Sequence, residues 1–191
     1  MAAKQLIKSL AILSLFPQFS YGADKIIGGV VGYHYAELST FSALPSNVND
    51  IQLGGINYQL RNGVAFDQAS RLYGTYSFSS DDLSHHQGVL VSYDWLFPFD
   101  NAGLVSLFVG ASAGLSSQET QYTDSEQSYF DTRSSYVFGG QTGVVFELSD
   151  QFTSEVGFRY LMHNFTSSGD NVSSLSVNDA EQVYLGIDYM F

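Results

Sequence analysis

The 191-residue chain contains 4 His, 19 Asp+Glu and no Cys, and these side chains limit the chemistry open to it. Without Cys there is no thiol nucleophile, disulfide framework or thiolate zinc site. A histidine becomes a general base when a nucleophile lies within hydrogen-bond reach. His163 follows Arg159-Tyr160, and the hydroxyls of Thr166, Ser167 and Ser168 after it fall in a polar stretch that reads as a surface loop. His85 and His86 adjoin Asp81 and Asp82, a grouping able to attract a divalent cation, although ordinary solvated loop side chains are the reading preferred for it. Glu119, Asp124, Glu126 and Asp131 are interleaved with Tyr122, Tyr129 and Phe130 but lack the spacing of a calcium loop. No catalytic residue, metal ligand or cofactor is therefore expected.

A second polar set has a regular position instead. Arg61, Arg71, Asp94, Gln141, Glu147, Glu155, Arg159 and Asp188 each occupy a gap in an apolar alternation. Near the C-terminus Val183, Leu185, Ile187, Tyr189 and Phe191 alternate with Gln182, Tyr184, Gly186, Asp188 and Met190, which is a strand with two unlike faces. The same parity runs from Val89 to Phe97, from Val105 to Leu115, from Tyr136 to Leu148 and from Phe152 to Met162. Weaker versions run from Ile27 to Tyr35, from Ile56 to Leu60 and from Leu72 to Phe78, with Arg71, Tyr73, Thr75 and Ser77 on the other face of the last. Eight strands are predicted. Their connectors alternate between shorter turns (62–70, 98–102, 149–151) and polar segments, mostly longer (39–50, 79–86, 116–132, 166–179). An even strand count with turns at one end and polar loops at the other predicts an all-β, eight-stranded antiparallel up-and-down barrel.

The aromatic residues indicate which face meets lipid. Trp95, Phe97, Phe152, Tyr189 and Phe191 fall at the short-turn rim, and Tyr33, Tyr35, Phe78, Tyr136 and Tyr160 at the opposite rim, with aliphatic residues between. Girdles of this kind flank the hydrocarbon band of a transmembrane barrel. Charges on the other parity cannot stand unpaired in hydrocarbon. In a barrel of eight strands the interior is narrow enough for side chains to fill it. The eight polar residues are thus expected to form a lumen network in which Arg159 balances Glu155 or Glu147, with His34 as a hydrogen-bonded lumen residue.

Charge and composition narrow the partners. A formal charge of −12, with 7 Lys+Arg, supplies no basic patch for a phosphate backbone, so nucleic acid is not a partner. Aromatic residues make up 15% of the chain, which argues for a packed or membrane-bound structure over disorder. Lys4 and Lys8 precede the apolar run Leu10 to Phe16, and Ser20 and Gly22 are the small residues that a signal peptidase reads. Residues 1–22 are accordingly read as a signal peptide and 23–191 as the barrel domain.

The terminal alternation Val183-Tyr184-Leu185-Gly186-Ile187-Asp188-Tyr189-Met190-Phe191, the Gly157-Phe158-Arg159-Tyr160 segment and Gly110-Ala111-Ser112-Ala113-Gly114 together resemble the small outer-membrane β-barrel family that includes the OmpA transmembrane domain and the OmpX and Ail group. The resemblance covers the whole mature chain. It implies a bacterial outer membrane, Tyr189 and Phe191 read by the barrel assembly machinery, outer-membrane lipid and lipopolysaccharide around the wall, and a monomer. His163 also bears a resemblance to the lipid A deacylase motif of His, any residue, Ser and Asn. This chain reads His163-Asn164-Phe165-Thr166, with Phe165 where the nucleophile would stand. The expected function is that of a non-enzymatic surface protein whose external loops serve membrane integrity or adhesion to an extracellular protein ligand. A narrow porin-like channel for small solutes is the alternative, followed by a lipid A-modifying enzyme.

Overall fold

The computed structural model describes residues 23–40, 51–66, 69–80, 84–99, 103–124, 127–164 and 175–191. The signal-peptide segment 1–22 lies outside them, as do Asp81, Asp82, Glu126 and the hydroxyls of Thr166, Ser167 and Ser168. Eight strands form: β1 (Asp24–Thr40), β2 (Ile51–Phe66), β3 (Ser70–Ser80), β4 (Ser84–Pro98), β5 (Val105–Asp124), β6 (Gln127–Ser149), β7 (Phe152–Asn164) and β8 (Leu175–Met190). Each pairs antiparallel with its chain neighbour, and β1 pairs with β8 to close the barrel. Closure leaves no open sheet edge along the wall, the condition for strands to cross hydrocarbon. No helix among the described residues is long and apolar enough to do so.

Side-chain parity then divides the molecule. Ile27, Val31, Leu60, Val91, Val109, Leu115, Val183, Leu185 and Ile187 are exposed on the outer wall. The aromatic rim at the turn end contains Trp95, Phe97, Phe152 and Phe191, all exposed, with Tyr189 stacked on Phe191 at 5.8 Å. Polar breaks in this wall are satisfied locally: outward Thr142 donates its hydroxyl to the Phe108 carbonyl at 2.9 Å. Tyr76 departs from the expected exposure. It is 8% exposed although it shares parity with Leu72 and Phe78, and its hydroxyl donates to Gln87 Oε1 at 3.4 Å, covering an amide that would otherwise face lipid.

Several strands run past their predicted ends. The expected 62–70 turn shrinks to 67–69, because β2 continues to Phe66 and β3 starts at Ser70. The segments expected as polar loops at 79–86 and 116–132 are largely ladder, with Tyr122 opposite Tyr129 and Asp124 opposite Gln127. Beyond the membrane both faces of a ribbon meet water, so hydrophobic alternation stops while backbone pairing continues. At the turn end, Phe152 N donates to Ser149 Oγ at 3.1 Å across the β6–β7 turn, and Gly103 adopts φ 72° beside β5. These turns set the register that brings the inward residues together.

A candidate functional site in the barrel lumen

The inward parity of seven strands converges on one buried network. Arg61 on β2 donates from Nε and Nη2 to the two oxygens of Asp188 on β8, and from Nη1 to Glu155 Oε1 on β7 at 2.5 Å. Arg71 on β3 reaches Asp94 Oδ2 on β4 at 2.9 Å and Glu155 Oε2 at 2.6 Å. Gln141 on β6 donates to both Asp94 Oδ1 and the Tyr73 hydroxyl, the latter at 2.7 Å, while Tyr73 donates to Asp94 Oδ2 at 2.9 Å. Arg159 donates from Nε to Gln141 Oε1 at 2.8 Å and from Nη1 to Gln59 Oε1 at 3.2 Å. Ser92 and Ser112, at 2.8 Å from each other, extend the chain to Gln141 across β4 and β5.

The charges cancel. Arg61, Arg71 and Arg159 face Asp94, Glu155 and Asp188, and all six are buried. An ion removed from water costs several kcal/mol unless counter-charge and hydrogen bonds replace the lost hydration. Here Asp94 and Asp188 each accept from at least two donor atoms, Glu155 accepts from Arg61 and is ion-paired with Arg71, and the guanidinium groups also lie over rings. Arg61 and Arg71 stand 5.4 Å and 5.3 Å from the Tyr73 centroid, Arg71 4.9 Å from that of Phe108 and Arg159 5.2 Å from that of Tyr184.

Two expectations about the network change on inspection of partners. Arg159 balances neither Glu155 nor Glu147. It is held by amide oxygens and the Tyr184 ring, because Glu155 is taken by Arg61 and Arg71. Glu147 stays outside the network. One pleat from the β6–β7 turn, it lines a cavity of about 290 Å³ at the turn end, together with Arg71, Asp188 and Thr153. That vestibule stops at the charged layer.

The sequence put Tyr73 and Tyr184 on the inward parity but did not place them, or Phe108, in the network. Tyr73, Tyr184 and Phe108 are fully or almost fully buried in the lumen, and Phe108 and Tyr184 pack with Val30 and Val145. Their signal was parity: Tyr73 is two residues from Arg71 and Tyr184 four from Asp188. Glycines directly across the ladder make room for them. Tyr73 lies opposite Gly63, Phe108 opposite Gly143 and Tyr184 opposite Gly157, while Asp94 lies opposite Gly110 and Asp188 opposite Gly28. At each of these glycines a Cβ would collide with the named side chain or its backbone.

His86 and His163 also face inward. Ser135 Oγ lies 3.4 Å from His163 Nδ1, and Ser116 Oγ 3.4 Å from His86 Nδ1, with the two rings edge to face at 6.4 Å. His34, on the same parity in β1, is half-buried. Among the described residues no group of three or more His, Asp or Glu side chains is arranged to hold a metal ion. The side chains of His85, Glu119, Asp124 and Asp131, and those of Tyr122, Tyr129 and Phe130, lie outside the described residues.

The closed wall, the aromatic rims and the neutral charged core define a transmembrane β-barrel. Comparison with solved structures agrees. Outer membrane protein H (OprH) from P. aeruginosa, determined in DHPC micelles, is 29% identical, with a TM-score of 0.57 over 88% of this chain and 100% of that one. Neisserial surface protein A (NspA) superposes with a TM-score of 0.61 at 15% identity over 86% of this chain and 97% of that one. The outer membrane protein AlkL in DMPC bilayers gives 0.58 at 12% identity over 92% and 95%. No protein-family model matches the chain, and no curated protein sequence matches it. The chain is a small eight-stranded β-barrel protein of the bacterial outer membrane.

Proposed function

We propose that this barrel is a non-enzymatic surface protein that holds its external hairpins above a non-conducting wall, in contact with other cells or extracellular proteins. The observation that carries this reading is the filled lumen, where the Arg61, Arg71, Asp94, Glu155 and Asp188 layer joins β2, β3, β4, β7 and β8 across the barrel. A solute would have to separate several buried ion pairs to pass. The Ser135–His163 and Ser116–His86 contacts point into the lumen, away from the lipid acyl chains that a lipid A enzyme must reach.

The β5–β6 hairpin supports the contact role. Among the described residues the β5–β6 ladder continues from Tyr136 and Leu115 out to Asp124 and Gln127, beyond the last described pair of β6 with β7, Tyr136 with Asn164. With short turns periplasmic, as in barrels of this class, the hairpin stands outside the cell. Tyr189 and Phe191 at the periplasmic rim suit the assembly-signal role that the family resemblance implies, and the outer wall suits lipid and lipopolysaccharide.

Two measurements test the reading. In planar bilayers the protein should be electrically silent, and clear single-channel steps would replace the plugged barrel with the narrow channel. Replacing residues 121–130 with a two-residue turn should preserve the folded barrel and abolish attachment of expressing cells to host cells or to one another. Attachment unchanged by the deletion would refute the hairpin as the contact element.

A further inference from the structure

The outer wall carries a groove at the β1–β8 seam. Gly29 lies on the lipid-facing parity between Ile27 and Val31, and no atom lies within 4 Å of the place a Cβ would take. Across the ladder Gly29 pairs with Ile187, and Val31 with Leu185. These side chains border an open depression of about 460 Å³, with Phe152 and Tyr189 toward the turn end. Its lining is apolar, from Ile27, Val31, Leu185 and Ile187, and it lies along the β1–β8 seam.

A cation marks its lower end. Lys25 lies on the same outward parity, one pleat below Ile27 and about 13 Å along the strand from Gly29. Its Nζ stands 5.8 Å from the centroid of Phe191, whose backbone exchanges two hydrogen bonds of 3.0 Å with that of Lys25. Arg61, Arg71 and Arg159 are buried in the lumen, so Lys25 is the basic side chain that the described outer wall offers, and it takes part in none of the ion pairs among the described residues. Rings at headgroup level, a cation beside them and a chain-wide groove above match the two ends of a phospholipid.

We propose that the β1–β8 seam binds one anionic phospholipid of the leaflet at the turn end, an acyl chain in the Gly29 groove and the phosphate on Lys25. The site depends on the transmembrane barrel and is independent of the surface role proposed above. Native mass spectrometry of the folded protein, released from micelles doped with phosphatidylglycerol, tests it. The wild type should retain one lipid under conditions that strip the remainder. Lys25→Gln should lower retention about fivefold, the effect of one basic residue at an anionic lipid surface. Gly29→Phe, which fills the groove, should abolish retention, with Gly29→Leu as the second variant if Phe prevents folding, as judged by the mobility of unboiled samples. Equal retention by wild type and variants would mean annular lipid and overturn the proposal. A lipid-free species of twice the chain mass, dispersed by Gly29→Phe, would also overturn it, since the seam would then be an interface between two copies.

Discussion

Arg61 and Arg159 carry the same charge at the same depth of burial, yet their surroundings assign them different weights. Arg61 neutralises two carboxylates, Glu155 and Asp188, whereas Arg159 meets the neutral oxygens of Gln141 and Gln59. Removing one member of a buried ion pair leaves an uncompensated charge and costs about 3–5 kcal/mol. Arg61→Met should therefore lower unfolding stability by roughly that amount, and Arg159→Met by clearly less. Urea unfolding in lipid vesicles, followed by the emission of Trp95, the single tryptophan of the chain, would measure both. Equal losses would contradict the assignment of Glu155 to Arg61. Six of the network's charged members were legible in the sequence, since each interrupts an apolar alternation, although Glu147 does so too and lies outside the network. The pairing within it was not, because Arg61 is separated from Asp188 by 127 residues.

At the scale of the strands, opposite glycines and large side chains decide what fits. Gly28 and Gly29 are chain neighbours with opposite environments: a Cβ on Gly28 would strike the Asp188 carboxylate, whereas one on Gly29 would meet nothing. Gly28→Ala should displace Asp188 from Arg61 and cost at least the ~1–3 kcal/mol of ordinary overpacking. Gly29→Ala should stay within about 0.5 kcal/mol of wild type. The same unfolding experiment compares them, and a Gly29→Ala loss as large as that of Gly28→Ala would mean that β1 is rotated by one residue. Strand existence was legible from period-two patterning, most clearly in β5, β7 and β8. The outer reach of β5 and β6 was not. From Glu119 onward Thr120, Gln121, Thr123 and Asp124 break the apolar alternation, while backbone pairing continues.

For the molecule as a whole, the lipid-facing wall makes a prediction about location. Trp95 stands outward at the turn rim, half-exposed and edge to face with Tyr93 at 4.8 Å. In vesicles its emission should be quenched strongly by lipids brominated near the headgroup and less by lipids brominated at the chain terminus. The unboiled protein should migrate differently from the boiled one on a detergent gel, because a closed ladder resists unfolding by detergent at low temperature. Unquenched Trp95 together with identical mobilities would mean that the apolar parity faces inward, as in a soluble barrel. The turn-end vestibule belongs to this scale as well. It ends on Arg71 and Asp188, members of the same layer that joins opposite sides of the wall.

The sequence by itself determined the class of structure. Alternation with period two, an even number of strands and rings at two levels admit few arrangements once every backbone group must be paired within hydrocarbon. It also determined which side chains enter the lumen, since parity assigns a face without knowledge of any partner. Only the tertiary structure decided who meets whom. Register between consecutive strands places Asp94 over Gly110, register between β1 and β8, distant in the chain, places Asp188 over Gly28, and a slip of one residue would exchange the inward and outward sets. The turns and the closing β1–β8 ladder select that register, and with it the neutral plug, the excluded Glu147 and the open groove beside Gly29.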